Sequence, residues 1–249
     1  FNTAIGLKHD VNGYLTGTTM GRPGLLKNVA NMYLMKDGTP FTSQPGWETM
    51  QLSEESKNRD GRFAQTLRTP GYKRIDDTAL SAPNLAATMT GYQLVKYLQS
   101  AKYDSYNAST NDLPLLRAAE VMLNYAEAKA ELGEFSETVW NATIKLLRER
   151  AGVDGTMPSA YDPYMAEYFL NTTTDMAILE IRRERGIELL LENCRWDDDM
   201  RWGMGRLLER PWYGVYVGEL GKVYDMDGDG RNDLELYVDK QTSSPVSYT

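Results

Sequence analysis

An acidic loop near the end of the chain has the spacing of a cation site. Residues 225–233 read Asp-Met-Asp-Gly-Asp-Gly-Arg-Asn-Asp, so a candidate oxygen ligand recurs at every second position. Such oxygens converge on one point when the chain turns tightly, and Gly230 permits that turn. The predicted ligands of a structural Ca²⁺ are Asp225, Asp227, Asp229, Arg231 through its carbonyl, and Asp233. A solvated acidic turn is the alternative, although without a cation these carboxylates would repel one another.

The loop differs from an EF-hand at its twelfth position and in its flanks. Leu236 stands where an EF-hand has a bidentate Glu, and the flanking residues alternate as short strands do. The pattern is similar to calcium loops of integrin-type β-propeller repeats. It predicts the weak affinity of extracellular modules, with a dissociation constant of about 10⁻⁴–10⁻³ M. The ion would hold a hairpin together and would take no part in substrate binding.

A second charged segment has the spacing that glycoside hydrolysis would need. Glu184, Glu188 and Glu192 share one helix face, and retaining glycosidases place two carboxylates about 5–5.5 Å apart. Arg185 and Arg195 each lie three residues from one of these carboxylates, which favours ion pairs between packed helices. An Arg neighbour lowers a carboxyl pKa, whereas a general acid needs a raised one. We therefore interpret the segment as structural, with contact to a partner as the alternative, and expect no enzyme activity.

Composition excludes several other kinds of site and partner. His9 is the one histidine and Cys194 the one cysteine, which excludes a triad elsewhere, a multi-histidine zinc site and an intrachain disulfide. The net charge is −8 without a basic stripe, which argues against nucleic acid as a partner. No apolar run approaches the roughly 20 residues that span a bilayer. The first residue is Phe1, so we expect a cut end that lacks its targeting segment.

The elements that must position these residues fall into three regions. Residues 1–110 are punctuated by Gly and Pro and predict an irregular region with short strands, one of them at 32–35 before an Asp-Gly turn. Helical periodicity governs residues 111–205, and residues 206–249 predict a β-hairpin that carries the acidic loop. The predicted strands are residues 213–217, 222–224 and 234–238. Residues 241–249 are predicted to form a polar, mobile tail. The predicted class is α+β, mainly α.

Three helices are predicted in the middle region. The first covers 112–133 with Asp112 as N-cap, the second covers 136–152, and the third covers 174–193 with Thr174 as N-cap. The apolar stripe predicted for the first helix comprises Leu115, Ala118, Ala119, Met122, Tyr125, Ala126, Lys129 and Leu132. The turn between the first two helices has tetratricopeptide-like spacing. One such helical hairpin cannot bury its own face and needs stacked neighbours.

Three sequence blocks resemble the SusD/RagB family. Residues 117–128 resemble its "Arg-x-Ala-Glu, then Tyr-Ala-Glu-Ala" helix, and residues 184–203 resemble its block that ends in Arg-Trp-Gly. Asn-Arg-Asp-Gly-Arg-Phe at 58–63, followed by Thr-Pro-Gly at 69–71, resembles its "Asn-Arg-Asp-Pro-Arg" strand, although Gly61 replaces Pro. The blocks occur in the family's order, so the chain resembles the C-terminal portion of a SusD-like protein.

The resemblance implies a fold and a function. SusD-like proteins of Bacteroidetes pack tetratricopeptide-like hairpins against an irregular half. They are lipoproteins on the extracellular face of the outer membrane, where they capture oligosaccharide for a SusC-like TonB-dependent transporter. They carry out no chemistry. The resemblance implies a lipid anchor, which we expect to be absent from this sequence.

Exposed aromatic rings are the candidate sugar platforms, because sugar sites stack a ring on an aromatic face and add hydrogen bonds. Trp47 follows Pro-Gly and is hard to bury, and Tyr14 and Tyr72 are weaker candidates. Three other tryptophans are expected to pack inside the protein: Trp196, Trp202 and Trp212. Two rival functions stay open: a tetratricopeptide-type adaptor that binds peptides, and a glycoside hydrolase.

Overall fold

The computed structural model describes residues 8–237, and within them the chain is mainly helical. The α-helices are α1 Val11–Thr16, α2 Lys27–Ala30, α3 Leu52–Glu55, α4 Gly61–Thr66, α5 Ala118–Glu131, α6 Glu137–Ala142, α7 Ile144–Arg150, α8 Pro163–Tyr168, α9 Met176–Glu188 and α10 Arg195–Arg201. The 3₁₀ helices are Phe41–Ser43, Trp47–Thr49, Ala101–Tyr103 and Gly205–Glu209, and the strands are β1 Val223–Tyr224 and β2 Leu234–Glu235. The mainly helical class with a short β-hairpin is confirmed.

The largest hydrophobic cluster draws on the whole length of the described chain. It contains Tyr33 and Phe63 from the loop-rich region, Phe169 from the helical region, and Met226 from the hairpin. A second cluster lies between α5, α6, α7 and α9, and its centre is the fully buried Trp140. The predicted boundaries between three regions, at residues 110 and 205, stay predictions.

Helix α5 begins five residues later than its local signals suggest. Its N-cap is Arg117, which has an extended backbone, and the predicted cap Asp112 lies outside the helix. The Arg117 guanidinium donates to the carboxylates of Glu188 and Glu192 and to the Glu188 carbonyl. These long-range bonds hold Arg117 extended, so tertiary pairing overrides the capping signal at Asp112.

Helix α5 has two apolar stripes, and only one of them is buried. The inner stripe of Ala119, Leu123 and Ala126 packs on α6, α7 and α9. The outer stripe is exposed and consists of Ala118, Val121, Tyr125 and Ala128 together with the C-cap residue Leu132. Its spacings of three and four residues alternate as in a helix-packing seam. The single stripe predicted from sequence therefore merged two different faces.

The predicted helical hairpin is present, but its second helix is interrupted. Gly133 ends α5 with φ +69°, and Ser136 caps α6 by accepting from the Val139 N–H. At Thr143 the backbone leaves the helical region, with φ −131° and ψ −89°, and α7 starts one residue later. The Thr143 hydroxyl donates to the Val139 carbonyl, a bond that bends helices.

Helix α9 is the element that carries the charged segment. Its N-cap is Asp175, whose carboxylate accepts from the Ile178 N–H at 3.0 Å, whereas Thr174 was predicted. It ends at Glu188, because Leu191 and Asn193 have φ of +63° and +61° and turn the chain before α10. The predicted end at residue 193 was therefore wrong. Helix α9 packs against α5 and α8.

The strands are shorter than predicted. Strands β1 and β2 pair in antiparallel register, with Tyr224 opposite Leu234. Residues 213–217 form no strand, and the residues at 32–35 contribute only isolated bridges from Leu34 and Met35. The predicted tail at 241–249 lies outside the described residues. None of the described helices combines the length and the apolar character needed to cross a membrane.

Candidate functional site

The carboxylates of α9 form the centre of a buried ion-pair network. Glu184 is fully buried and accepts from Arg62 Nη1 at 2.8 Å and from Arg148 Nε at 2.7 Å. Glu188 accepts from Arg62 Nη1 at 2.9 Å and from Arg150 Nη2 at 2.6 Å, and Arg117 completes its shell. Three separate segments thus send a guanidinium to one helix face.

The partners of these carboxylates differ from those predicted. Arg185 pairs with Asp198 at 2.8 Å, and Arg195 pairs with Asp199 at 2.9 Å. Glu192 instead pairs with Lys96 and Arg117. Residues three apart on a helix can pair, but here the arginines take partners on α10, whereas the glutamates take partners on other segments.

The network sets the acidity of its carboxylates. Burial alone would raise the pKa of Glu188, but the guanidiniums of Arg150, Arg62 and Arg117 outweigh it and lower that pKa to about 2. The pKa values of Glu184 and Glu192 are also below the usual range, because paired cations again outweigh burial. A general acid needs the opposite shift. The geometry therefore favours the predicted structural role of the charged segment.

A groove of about 730 Å³ opens beside Trp47. Its aromatic lining consists of Trp47, Tyr164, Tyr168, Tyr213 and Tyr216. The volume lies within the range of ligand sites, and such sites combine aromatic walls with few polar groups. The groove is therefore the candidate ligand site of the described chain.

Helix α8 and the segment after α2 hold one wall of the groove. The ring of Tyr164 meets the ring of Trp47 edge-on, with centroids 5.7 Å apart. The Tyr164 hydroxyl donates to the Asn28 carbonyl at 3.0 Å and accepts from Asn31 Nδ2 at 3.2 Å. Burial raises the pKa of Tyr164 to about 12, so its hydroxyl stays protonated and can donate.

Residues 213–217 form another part of the lining, and two backbone hydrogen bonds fix their position. Val215 N–H donates to the Thr90 carbonyl at 2.8 Å, and Lys27 N–H donates to the Tyr213 carbonyl at 2.8 Å. A Cβ on Gly214 would lie 2.2 Å from the Thr90 carbonyl oxygen, so this close approach requires glycine.

Polar atoms without a partner lie beneath the groove. The amide oxygens of Asn28 and Asn31 and the ammonium of Lys27 are buried and have no hydrogen-bond partner among the described residues. An unmade hydrogen bond at a buried polar atom costs about 1–3 kcal/mol. A hydrogen-bond donor that reached the floor would remove this penalty for the two amide oxygens.

The predicted sugar platforms do not come together. Trp47 lines the groove, whereas Tyr14 and Tyr72 do not. Tyr14 is exposed elsewhere, and the Tyr72 ring lies under the Arg68 guanidinium at 5.3 Å. Sequence reasoning missed the four tyrosines, although the run Pro-Trp-Tyr-Gly-Val-Tyr at 211–216 was a visible signal. The stacking role of Trp47, Tyr14 and Tyr72 stays a prediction.

Three tryptophans were predicted to pack inside the protein, and the prediction was right only for Trp202. Trp202 packs against the Phe169 ring and donates to Glu127 at 2.7 Å. Trp196 is 60% exposed, because α10 turns Asp198 inward, and Trp212 is 71% exposed. Trp212 does not line the groove, although its neighbours Pro211 and Tyr213 do.

The acidic loop has the compact geometry that its spacing predicted. Carboxylate oxygens of Asp225, Asp227 and Asp229 lie within 4.8 Å of one another. Gly228 and Gly230 both have positive φ, and their N–H groups donate to Asp225. The three carboxylates could thus hold one cation.

The fourth carboxylate has a different position. Asp233 accepts from the Met226 N–H at 2.7 Å and so closes the loop on itself. The Arg231 guanidinium lies 3.8 Å from Asp229 on an exposed side chain. The ligand roles of Asp233 and of the Arg231 carbonyl stay predictions.

The electrostatics of the loop are opposite to those of the ion-pair network. Burial raises the pKa of Asp227, and repulsion from Asp233, Asp229 and Asp225 raises it further. Asp227 is nearly buried, and its carbonyl accepts from the Gly71 N–H at 3.2 Å. The loop is therefore anchored to the body of the protein, while Arg231 is the one cation of residues 8–237 that forms an ion pair with its carboxylates.

Comparisons with known proteins agree with the resemblance. The sequence model of the SusD family matches residues 6–245. A SusD-like protein of Bacteroides fragilis superposes with a TM-score of 0.62 at 21% identity, over 86% of this chain and 43% of its own. A SusD-like carbohydrate-binding protein of that species superposes with a TM-score of 0.57 at 28% identity, over 78% of this chain and 38% of its own. No curated protein matches the chain.

The extent of these matches decides the family. The chain spans less than half of the length of the two solved relatives, whereas the family match covers nearly all of this chain. The two relatives share its mainly helical fold, and the sequence blocks at 58–63, 117–128 and 184–203 all lie inside the matched residues. The chain belongs to the SusD family.

Proposed function

We propose that the groove beside Trp47 binds glycans. The observation that carries this proposal is the set of aromatic rings around a groove of about 730 Å³, above amide oxygens that have no partner. The apolar faces of sugar rings stack on aromatic side chains, and sugar hydroxyls donate to amide oxygens. A relative with 28% identity is described as a carbohydrate-binding protein, which supports the same function here.

The glycan would be held and released without chemistry. The carboxylates of α9 are paired with arginines and buried, so they would not act as acid and nucleophile on a sugar. Family membership supports a wider role as the binding partner of a SusC-like TonB-dependent transporter. It also supports a location on the extracellular face of the outer membrane.

We also propose that the acidic loop binds Ca²⁺. The three clustered carboxylates offer hard oxygen ligands, and burial together with the neighbouring carboxylates raises the pKa of Asp227, so a cation would relieve part of this electrostatic cost. The hairpin packs through Met226 and Leu234 on the same hydrophobic cluster as Val215 and Val217. The ion would therefore stabilise the hairpin that supports one groove wall.

The glycan proposal is tested by direct binding measurements. Calorimetry with glycans selected on an oligosaccharide array should give saturable binding that Trp47→Ala weakens at least about tenfold, because ring stacking is lost. Tyr213→Ala should weaken it as well, and Tyr213 is 60% exposed, so its replacement should leave the fold intact. Trp196→Ala is the matched control, since that ring is equally exposed but lies on α10.

Two results would contradict the proposal. Binding that is lost in Trp196→Ala but kept in Trp47→Ala and Tyr213→Ala would place the site elsewhere. Cleavage of a bound oligosaccharide by the purified chain would favour the glycoside hydrolase that the sequence left open, and chromatography of the recovered ligand detects it.

A further inference from the structure

Both cations of the groove already contact groups of the protein, although the Lys27 ammonium makes no hydrogen bond and Arg210 has no carboxylate partner within residues 8–237. Lys27 is mostly buried, and its ammonium lies 3.8 Å from the carboxylate of the buried Glu55. Arg210 donates from Nη2 to the Glu167 carbonyl at 2.7 Å, and its guanidinium lies 5.1 Å from the centre of the Tyr168 ring. A ligand anion would have to compete with these contacts for either positive charge.

The two anions of the groove are free. Glu48 and Glu167 both line it and are exposed, and no Lys or Arg nitrogen within residues 8–237 forms an ion pair with either carboxylate. The partnerless amide oxygens of Asn28 and Asn31 add acceptors beneath the floor. The polar groups that the groove offers to a ligand are therefore mainly acceptors and negative charges.

We propose that the groove selects neutral or amino-bearing glycans over glycans that carry carboxylate or sulfate groups. This inference rests on the glycan-binding function proposed above and adds the chemical class of the ligand. A hydroxyl or ammonium donor is complementary to Glu48, Glu167 and the amide oxygens, whereas a uronate or sulfate meets like charge in a partly desolvated site. The net charge of −8 acts in the same direction at longer range.

The size of the effect follows from the distance and the screening. In 0.15 M salt, a ligand anion about 7 Å from one free carboxylate loses about fivefold in affinity at an effective dielectric of about 20. Salt at 0.15 M, with a Debye length of about 8 Å, screens only part of this repulsion inside a groove. Two carboxylates on one groove thus suffice for a preference that binding assays resolve.

The experiment uses an oligosaccharide array with neutral, amino-sugar, uronate and sulfated members, followed by calorimetry on the hits. The wild-type chain should bind neutral or amino-sugar members. The double variant Glu48→Gln and Glu167→Gln should lower the ratio of neutral to acidic affinity at least about fivefold. The matched control is the double variant Glu137→Gln and Glu149→Gln, which removes the same charge from exposed residues of α6 and α7 and should leave that ratio unchanged.

The outcomes separate this inference from the function on which it rests. A preference for uronate or sulfated members that Arg210→Gln abolishes would overturn the inference and leave glycan binding intact. An unchanged ratio in the Glu48 and Glu167 variant would overturn the charge argument in the same way. An array on which the folded chain binds no member would remove the proposed function and the inference together.

Discussion

The ion-pair network of α9 and the acidic loop at 225–233 are both rich in carboxylates, yet their physical states are opposite. In the network, Glu184 and Glu188 each meet at least two guanidiniums, and their pKa values lie below the usual range. In the loop, the carboxylates accept mainly from main-chain N–H groups, and the pKa of Asp227 is raised. The network is electrostatically complete, whereas the loop has negative charge left over.

The difference shows how acidic residues can be interpreted. Carboxylates whose counter-charges come from the same chain stabilise the fold and have little capacity left for a ligand. Carboxylates that converge without counter-charges are held together by the backbone at an energetic cost, and a cation removes that cost. Four experiments test this contrast.

The largest effect is expected from Glu184→Gln. The substitution removes one charge from a fully buried group that joins Arg62 and Arg148, and breaking a buried ion pair costs about 3–5 kcal/mol. Urea unfolding at neutral pH measures this loss. The exposed Glu137→Gln is the control, with a change within about 0.5 kcal/mol. A loss below about 1 kcal/mol at Glu184 would mean that the network is not a unit of stability.

Acid should reveal the contribution of Glu188. Its folded pKa of about 2 lies below the ordinary 4.5, so its stabilisation is complete above about pH 4.5 and is lost as the pH falls toward 2. The full amount is about 3 kcal/mol. Unfolding free energies measured down this range should fall less steeply in Glu188→Gln than in wild type. Parallel curves would show that Glu188 is not the titrating group.

Calcium should stabilise the chain through the loop. With a dissociation constant of about 10⁻⁴–10⁻³ M, 10 mM Ca²⁺ raises the unfolding free energy by about 1.4–2.7 kcal/mol. Thermal unfolding with Ca²⁺ or chelator should show the gain in wild type and in the control Asp197→Asn, but not in Asp227→Asn. Equal gains in all three proteins would refute a site at the loop.

The smallest effect is expected from Asp227→Asn, which should gain stability where Glu184→Gln loses it. In chelator at neutral pH, Asp227→Asn removes repulsion and keeps the oxygen that accepts from the Asp229 N–H at 3.0 Å. Because the folded pKa of Asp227 is raised, its charged form disfavours the folded state above that pKa. The variant should therefore be more stable by a few tenths of a kcal/mol, up to about 1 kcal/mol. A less stable variant would show that hydrogen bonds outweigh the repulsion.

The sequence predicted what local chemistry controls. Gly133 ended α5 as expected, Ser136 capped α6, and the acidic spacing produced a converging loop. Capping at Asp112 failed because Arg117 is held by bonds to residues more than 70 positions away. Periodicity predicted one apolar stripe on α5 and merged its two faces, because which face packs depends on where α9 lies.

The groove was predictable at one residue only. Trp47 stood out because the adjacent Pro-Gly makes a tryptophan hard to bury. The other rings come from α8 and from residues 213–217, and long-range contacts, among them backbone bonds to Thr90 and Lys27, bring the latter segment to the groove. A site assembled from separate segments leaves no spacing signal in the sequence.

The outer stripe of α5 has a consequence for how the purified chain behaves as a colloid. Val121, Tyr125 and Leu132 present apolar surface at regular intervals, while each molecule carries a net charge of −8. At low ionic strength this charge keeps molecules apart, but at 0.15 M salt the Debye length is about 8 Å and the repulsion no longer reaches between them. The attraction between apolar stripes is not screened. Light scattering should therefore detect self-association that grows with salt, the reverse of the behaviour of proteins that associate through charge.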